Sequence, residues 1–231
     1  MNVVLSTAEL EALKTLSSPT VANAIETFNL KPRNQGFMDW SIRCLFPDLG
    51  VMVGYAVTAK IEAEQPAAEG HRVPIAQWWD AVEKTPAPRV LVMQDLDKRP
   101  IGAFWGEVQA NVHKAMGCIG VVTDGGVRDL DEVKALGFHF FAAHVLVSHS
   151  YVHLVDVGGP VKVGGLVVKP GDLIHADRHG AIMIPLEIAG DLVKAAERLQ
   201  KGEREIIEYC QSEEFTFEGF KELWRRFRPY S

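Results

Sequence analysis

The stretch from Trp105 to Phe138, WGEVQANVHKAMGCIGVVTDGGVRDLDEVKALGF, changes its hydrophobic period twice, and this limits the fold more than any other feature of the chain. A helix-favouring run over 106–116 gives way to the continuous apolar run 118–123, which suits a buried strand. The glycines that follow predict a turn over 124–127, and a short helix is expected to begin near Asp129. Helix, buried strand, glycine turn and helix in succession imply an α/β layer rather than a bundle or a β-sandwich.

The flanking segments extend the same alternation. Ser6 or Thr7 can cap a first helix, with Glu9 early in it and Leu10, Leu13 and Leu16 at helical spacing. Pro19 suits the first turn of a second helix whose apolar face is Val21, Ala24, Ile25 and Phe28. Strands are expected near Ile42–Leu45, over Val51–Ile61 and over Arg89–Gln94, with a short helix over Pro74–Glu83 between the last two. Residues 138–184 carry several short β segments, among them Val152–Val157, Val161–Val163, Leu166–Lys169 and Ala181–Ile184, separated by Gly-Gly and Pro-Gly turns. Amphipathic helices are expected over 186–209 and 214–227. The sequence thus divides into one α/β unit, residues 1–205, with a helical extension over 206–231.

Composition excludes several function classes. The formal charge of −6 leaves no basic footprint for nucleic acid or an anionic membrane. No apolar stretch approaches the ~20 residues needed to span a bilayer. The N-terminus lacks a signal-peptide pattern, so a cytoplasmic location is expected. Three scattered cysteines, Cys44, Cys118 and Cys210, form no C-x-x-C and point to a reducing compartment. Neither G-x-G-x-x-G after a strand nor a P-loop occurs, which argues against a nucleotide cofactor. None of the eight histidines forms H-E-x-x-H, and scattered structural positions are expected for them.

Chemistry concentrates at two acids and an arginine. Arg128 and Asp129 follow a buried strand and two glycines. The guanidinium fork of Arg128 suits a carboxylate or polarised carbonyl, and Asp129 is a hard oxygen ligand for Mg²⁺ or Mn²⁺. A surface salt bridge with a helix cap would use the same residues. Glu107 also stands at a helix start, after Trp105-Gly106, with twenty residues between it and Arg128. One helix plus one strand fills that gap, so two helix N-termini can meet at one sheet edge and favour an anionic ligand.

These motifs resemble a known family. W-G-E-x(20)-R-D, with G-x-x-G-V-V-x-D-G-x-V-R-D inside it, is similar to the 4-hydroxy-4-methyl-2-oxoglutarate aldolases, a family that includes the regulator of ribonuclease activity A and members once described as dimethylmenaquinone methyltransferase-like. Gly54-Tyr-Ala-Val-Thr58 and Val168-Lys-Pro-Gly-Asp172, continuing through Ala176-Asp177 and Gly180 to Ile184-Pro185, match as well. The resemblance implies a layered β/β/α fold of swivelling-domain type with C-terminal helices, assembled as a homotrimer or homohexamer. It implies a metal at Asp129, substrate oxygens on Arg128, and substrate-binding backbone amides in Gly106, Glu107, Val108 and Gln109. Glu107, where the family commonly has Asp, would hold metal-bound water and serve the catalytic proton transfer. An acid from a neighbouring subunit belongs to the family site, with Glu197, Glu203 and Glu205 as candidates here. The implied reaction is metal-dependent cleavage of 4-hydroxy-2-oxo acids to pyruvate, with oxaloacetate decarboxylase activity. Two alternatives stand beside it: a non-enzymatic protein-binding regulator, and a lyase or hydrolase acting on another 2-oxo acid.

Overall fold

Serines start the two N-terminal helices, the first at the expected Ser6 and the second at Ser17, which the sequence reading did not single out as a cap. In the computed structural model, which describes residues 4–227, Ser6 closes a capping box with Glu9 on α1 (Thr7–Lys14). Ser17 caps α2 (Ser18–Glu26), whose first turn holds Pro19. The chain continues through β1 (Arg43–Cys44), β2 (Met52–Glu62), α3 (Ile75–Lys84), β3 (Arg89–Asp95), β4 (Ala103–Trp105), α4 (Glu107–Ala115), β5 (Cys118–Val127) and α5 (Leu130–Leu136). It then forms β6 (His139–Val145), β7 (His153–Val157), β8 (Val161–Val163), β9 (Leu166–Val168), β10 (Leu173–Asp177), β11 (Gly180–Ile184), α6 (Ala189–Gln211) and α7 (Phe217–Phe227).

Nine strands make one mixed sheet in the order β1-β6-β5-β3-β2-β10-β11, with β4 paired to β5 and β7 to β2. The pairs β2–β3, β3–β5, β4–β5 and β5–β6 are parallel. Strands β10 and β7 join β2 antiparallel. The carboxyl ends of β2, β4, β5 and β6 therefore point the same way, toward the edge where open α/β sheets bind ligands.

Alternate side chains of the central strands feed two different cores, which makes the layering. Val57, Ala59, Leu91, Met93 and Val121 pack with Trp78, Val82, Ala110 and Val133 of helices α3, α4 and α5. Ala56, Val90, Val92 and Val122 pack instead with Val161, Val163, Leu166 and Val168 of the β8–β9 hairpin. A third cluster seats α1, α2 and the start of α6 on β10, β11 and the first half of β2. With both faces covered, β2 and β3 read as unbroken apolar runs. Helix α6 runs through residue 205, and its buried residues, Ala189, Leu192, Ala196 and Gly202, end before its last two turns. Among the described residues, no helix is long and apolar enough to cross a membrane.

The turn expected over 124–127 is instead the second half of β5. Register shifts between Thr123 and Gly126, and the strand then pairs Gly126 with His144 and with Ala103. The glycines serve close packing, not a turn. A Cβ on Gly126 would lie 2.3 Å from Leu146 Cδ1, and one on Gly125 would lie 2.9 Å from Asp95 Oδ2. Strand β4, too short and mixed to stand out in the sequence, forms only because this β5 extension offers it an edge.

Candidate functional site

Pairing of β4 with the end of β5 builds the site. Trp105 sits opposite Val127, and the Arg128 N–H donates to Trp105 O at 2.9 Å. Gly106 is thereby laid against Arg128 and Asp129. A Cβ at Gly106 would stand 2.5 Å from Asp129 Oδ2 and 3.1 Å from Arg128 Cγ. Its backbone is extended, with φ −159° and ψ −167°, so the demand for glycine there is for space and not for conformation.

Asp129 joins two helices. It occupies the N-cap position of α5 in the left-handed region, φ 56° and ψ 49°, without bonding its own helix through the side chain. Its Oδ2 accepts the Glu107 N–H at 2.9 Å, satisfying the first amide of α4. Arg128 Nε lies 3.7 Å from the same oxygen, a long, half-exposed pair that holds the side chain loosely. The two helix N-termini expected to converge do so, and an aspartate bridges them.

Helix α4 is held from behind. His113 donates from Nδ1 to Gln109 O at 2.7 Å and accepts the Trp78 indole N–H on Nε2 at 2.7 Å. Only the neutral ring satisfies both bonds, and burial lowers its pKa. Trp78 is fully buried, as packing requires, whereas Trp79 is 39% exposed.

A cleft of about 370 Å³ opens at this edge. Gly106, Val108, Gln109, Arg128 and Asp129 line it together. The Glu107 side chain is not among the lining residues, and it is exposed on the first turn of α4. Gln109 Oε1 is buried and has no hydrogen-bond partner among the described residues. Glu197, Glu203 and Glu205 all lie on α6, away from the lining, and Glu205 pairs with Arg226 of α7. The sequence reading did not place the rest of the polar wall here: Arg72 comes from the loop after β2, and His149 and His153, expected at scattered structural positions, come from the segment after β6. Their shared signal is that each follows the carboxyl end of a parallel strand. Recognising it requires knowing which strands are parallel.

The donor set suits a hard cation. Asp129 keeps Oδ1 without a hydrogen bond among the described residues while Oδ2 faces the Glu107 amide. Among the described residues, no group of three or more His, Cys, Asp or Glu side chains is placed to hold a metal. This chain would thus supply one carboxylate, leaving further positions to water and ligand oxygens, a common arrangement for Mg²⁺.

Comparison with known proteins agrees with this architecture. The RraA-like family, described as Aldolase/RraA, matches residues 18–183. The chain belongs to that family. An uncharacterised protein of Methanocaldococcus jannaschii is 34% identical over 107 residues, covering 46% of this chain and 51% of the relative. A putative 4-hydroxy-4-methyl-2-oxoglutarate aldolase of Halalkalibacterium halodurans is 30% identical over 99 residues, covering 42% and 47%. The chain spans about half the length of these curated relatives. A crystal structure of an uncharacterised protein from Pseudomonas syringae pv. tomato superposes with TM-score 0.74 at 23% identity over 96% of each chain. Streptomyces coelicolor RraAS2, an unusual member of the RNase ES inhibitor RraA protein family, gives 0.70 at 21% identity, covering 87% of this chain and 96% of that one. These structures share the fold of this RraA-like chain. The family takes in both aldolase-type enzymes and RraA-type regulators.

Proposed function

We propose that the chain is a metal-dependent class II aldolase that cleaves 4-hydroxy-2-oxo acids of the 4-hydroxy-4-methyl-2-oxoglutarate type to pyruvate and also decarboxylates oxaloacetate. The observation that carries this reading is the cleft in which Arg128, the free oxygen of Asp129 and the N-terminal turn of α4 come together. Arg128 binds the 1-carboxylate and 2-keto oxygen of the substrate and stabilises negative charge as it grows on the keto oxygen. The start of α4, with its dipole and first-turn amides, favours the same anionic end. Asp129 would hold Mg²⁺ or Mn²⁺, which supplies Lewis-acid polarisation of the keto group when bound. Glu107, at the exposed rim, would orient water in the outer shell of that ion. Assembly as a homotrimer or homohexamer would bring an acid from a neighbouring subunit toward the same site.

A regulatory role without catalysis would need neither an arginine fork beside a free carboxylate nor a cleft around them. The test is pyruvate release, coupled to a dehydrogenase, over a panel of 4-hydroxy-2-oxo acids and oxaloacetate. Release should disappear with excess chelator and return with Mg²⁺ or Mn²⁺. Undiminished release in chelator, or trapping of a substrate–lysine adduct by borohydride, would refute the mechanism.

A further inference from the structure

Retro-aldol cleavage needs a group to take the proton of the C4 hydroxyl, and Glu107 stands outside the cleft lining. The proposal that follows rests on the aldolase reading above. We propose that His149 is the catalytic residue that takes that proton.

Three features of the cleft single it out. The first is the ring itself. His149 lines the same cleft as Arg128 and Asp129, and its Nδ1 lies 2.7 Å from Ser150 O. A carbonyl oxygen can only accept, so Nδ1 carries the hydrogen and the neutral ring keeps a lone pair on Nε2. Nε2 has no hydrogen-bond partner among the described residues. A base oriented by a hydrogen bond on its far nitrogen is the usual arrangement for proton transfer. His153, the other lining histidine, is less suited. Its Nδ1 is turned to Tyr151 O at 2.9 Å, its Nε2 lies 4.0 Å from Glu62 Oε2, and the residue is buried.

The second feature is a rigid backbone under an exposed side chain. Ser148 O accepts from Ala103 N–H at 2.9 Å, which ties the segment to β4 beside the site. Ser150 Oγ donates to Ala63 O at 3.0 Å, and the Tyr151 N–H donates to the same oxygen at 3.2 Å. A Cβ at Gly102 would meet His149 O at 2.6 Å, so the His149 backbone rests directly on the chain leading into β4. The third feature is strain. Among the described residues, three other than glycine have positive φ: Asn29, Asp129 and Ser150. Asp129 lines the cleft, and Ser150 directly follows the lining residue His149. Such conformations collect where side-chain placement matters.

The step balances. Nε2 of His149 takes the proton from the C4 hydroxyl as the C3–C4 bond breaks. The O–H pair becomes the π bond of the new C4 carbonyl, and the C3–C4 pair becomes the enolate of pyruvate, whose oxygen Arg128 stabilises. Water protonates the enolate at C3, and the imidazolium gives its proton back to solvent. Oxaloacetate decarboxylation reaches the same enolate with no hydroxyl proton to remove.

His149→Gln should therefore lower kcat for a 4-hydroxy-2-oxo acid by roughly 10²–10⁴-fold while oxaloacetate decarboxylation stays within about threefold. Added imidazole should restore cleavage to His149→Ala, which a purely structural role would not allow. Nitrogen NMR of the deprotonated ring should report Nδ1–H. Equal loss of both reactions, no loss of either, or an Nε2–H ring would overturn the assignment. So would Glu107→Gln showing the selective loss in place of His149→Gln. A wild-type enzyme that decarboxylates oxaloacetate yet cleaves no 4-hydroxy-2-oxo acid would overturn the aldolase reading and this assignment with it. Failure confined to the His149 variants leaves the aldolase reading standing.

Discussion

The two oxygens of Asp129 have different surroundings. Oδ2 accepts the Glu107 amide, and Oδ1 has no hydrogen-bond partner among the described residues. Asparagine keeps an acceptor for the amide and tolerates the left-handed backbone, but it loses the negative charge a cation needs. Asp129→Asn should therefore unfold in urea within about 1 kcal/mol of wild type while both proposed reactions collapse. Alanine loses the cap and adds the left-handed penalty, so Asp129→Ala should cost about 2 kcal/mol or more. If Asn proved as destabilising as Ala, the amide bond would not be what the carboxylate supports.

At the scale of elements, α4 is the part on which the site most depends, because its first turn carries Gln109 and the amides while its far side meets α3. The link between them is the Trp78–His113–Gln109 chain of hydrogen bonds. His113→Phe preserves a flat ring in the core and leaves the Trp78 indole N–H without an acceptor. A buried unsatisfied donor costs about 1–3 kcal/mol, and urea denaturation should show a loss of that size. A loss of a few tenths only would mean that the indole finds another partner and that α4 is not positioned through this bond. Helix α7 is a different kind of element. Its aromatic face is built from Phe217, Phe220, Trp224 and Phe227, and the Phe227 ring packs on Gly202 of α6. Phe217 is 67% exposed, so the apolar spacing seen in the sequence is only partly explained by contacts within this chain.

Across the whole molecule, buried titratable groups pull stability in opposite directions with pH. Burial lowers the pKa of His113, His175 and His139, the last to about 4. As pH falls through 6.5, the unfolded chain binds protons that the native state refuses, so these rings subtract stability. Burial raises Asp95 to about 7 and Asp124 to about 6 from an ordinary 3.8. Their contribution is fully present below 3.8 and is lost as pH rises through 6 and 7. Asp95 accepts the Asp97 N–H through Oδ1, while its Oδ2 is buried without a partner among the described residues. Asp95→Asn keeps an acceptor and removes the charge. Relative to wild type, it should gain stability steadily between pH 4 and pH 8 in urea titrations. A difference between the two proteins that does not change with pH would show that Asp95 is not the group responsible.

Local chemistry made the elements legible, and the third dimension decided how they meet. Capping serines, Pro19, the apolar runs of β2, β3 and β5, and the helical spacing of α6 are properties of short segments, so they can be read along the chain. Arg128 and Asp129 stood out because a strand ends at them, and their lining of one cleft with Gly106 is seen in the fold. The extension of β5 through Gly125 and Gly126 could not be read in this way, because glycine marks a turn and a crowded strand alike. The choice between them rests on Leu146 and Asp95, which approach from elsewhere in the chain. Strand β4 exists only as the partner of that extension. Arg72 and His149 reach the cleft because β2 and β6 run parallel to β5, a pairing no local pattern contains. The sequence by itself determined the capped helices, the apolar strands and the acid and base at their ends, since those choices are settled within a few residues. Only the tertiary structure decided which strand ends share an edge, and so which side chains form the site, because that depends on contacts between residues far apart in the chain.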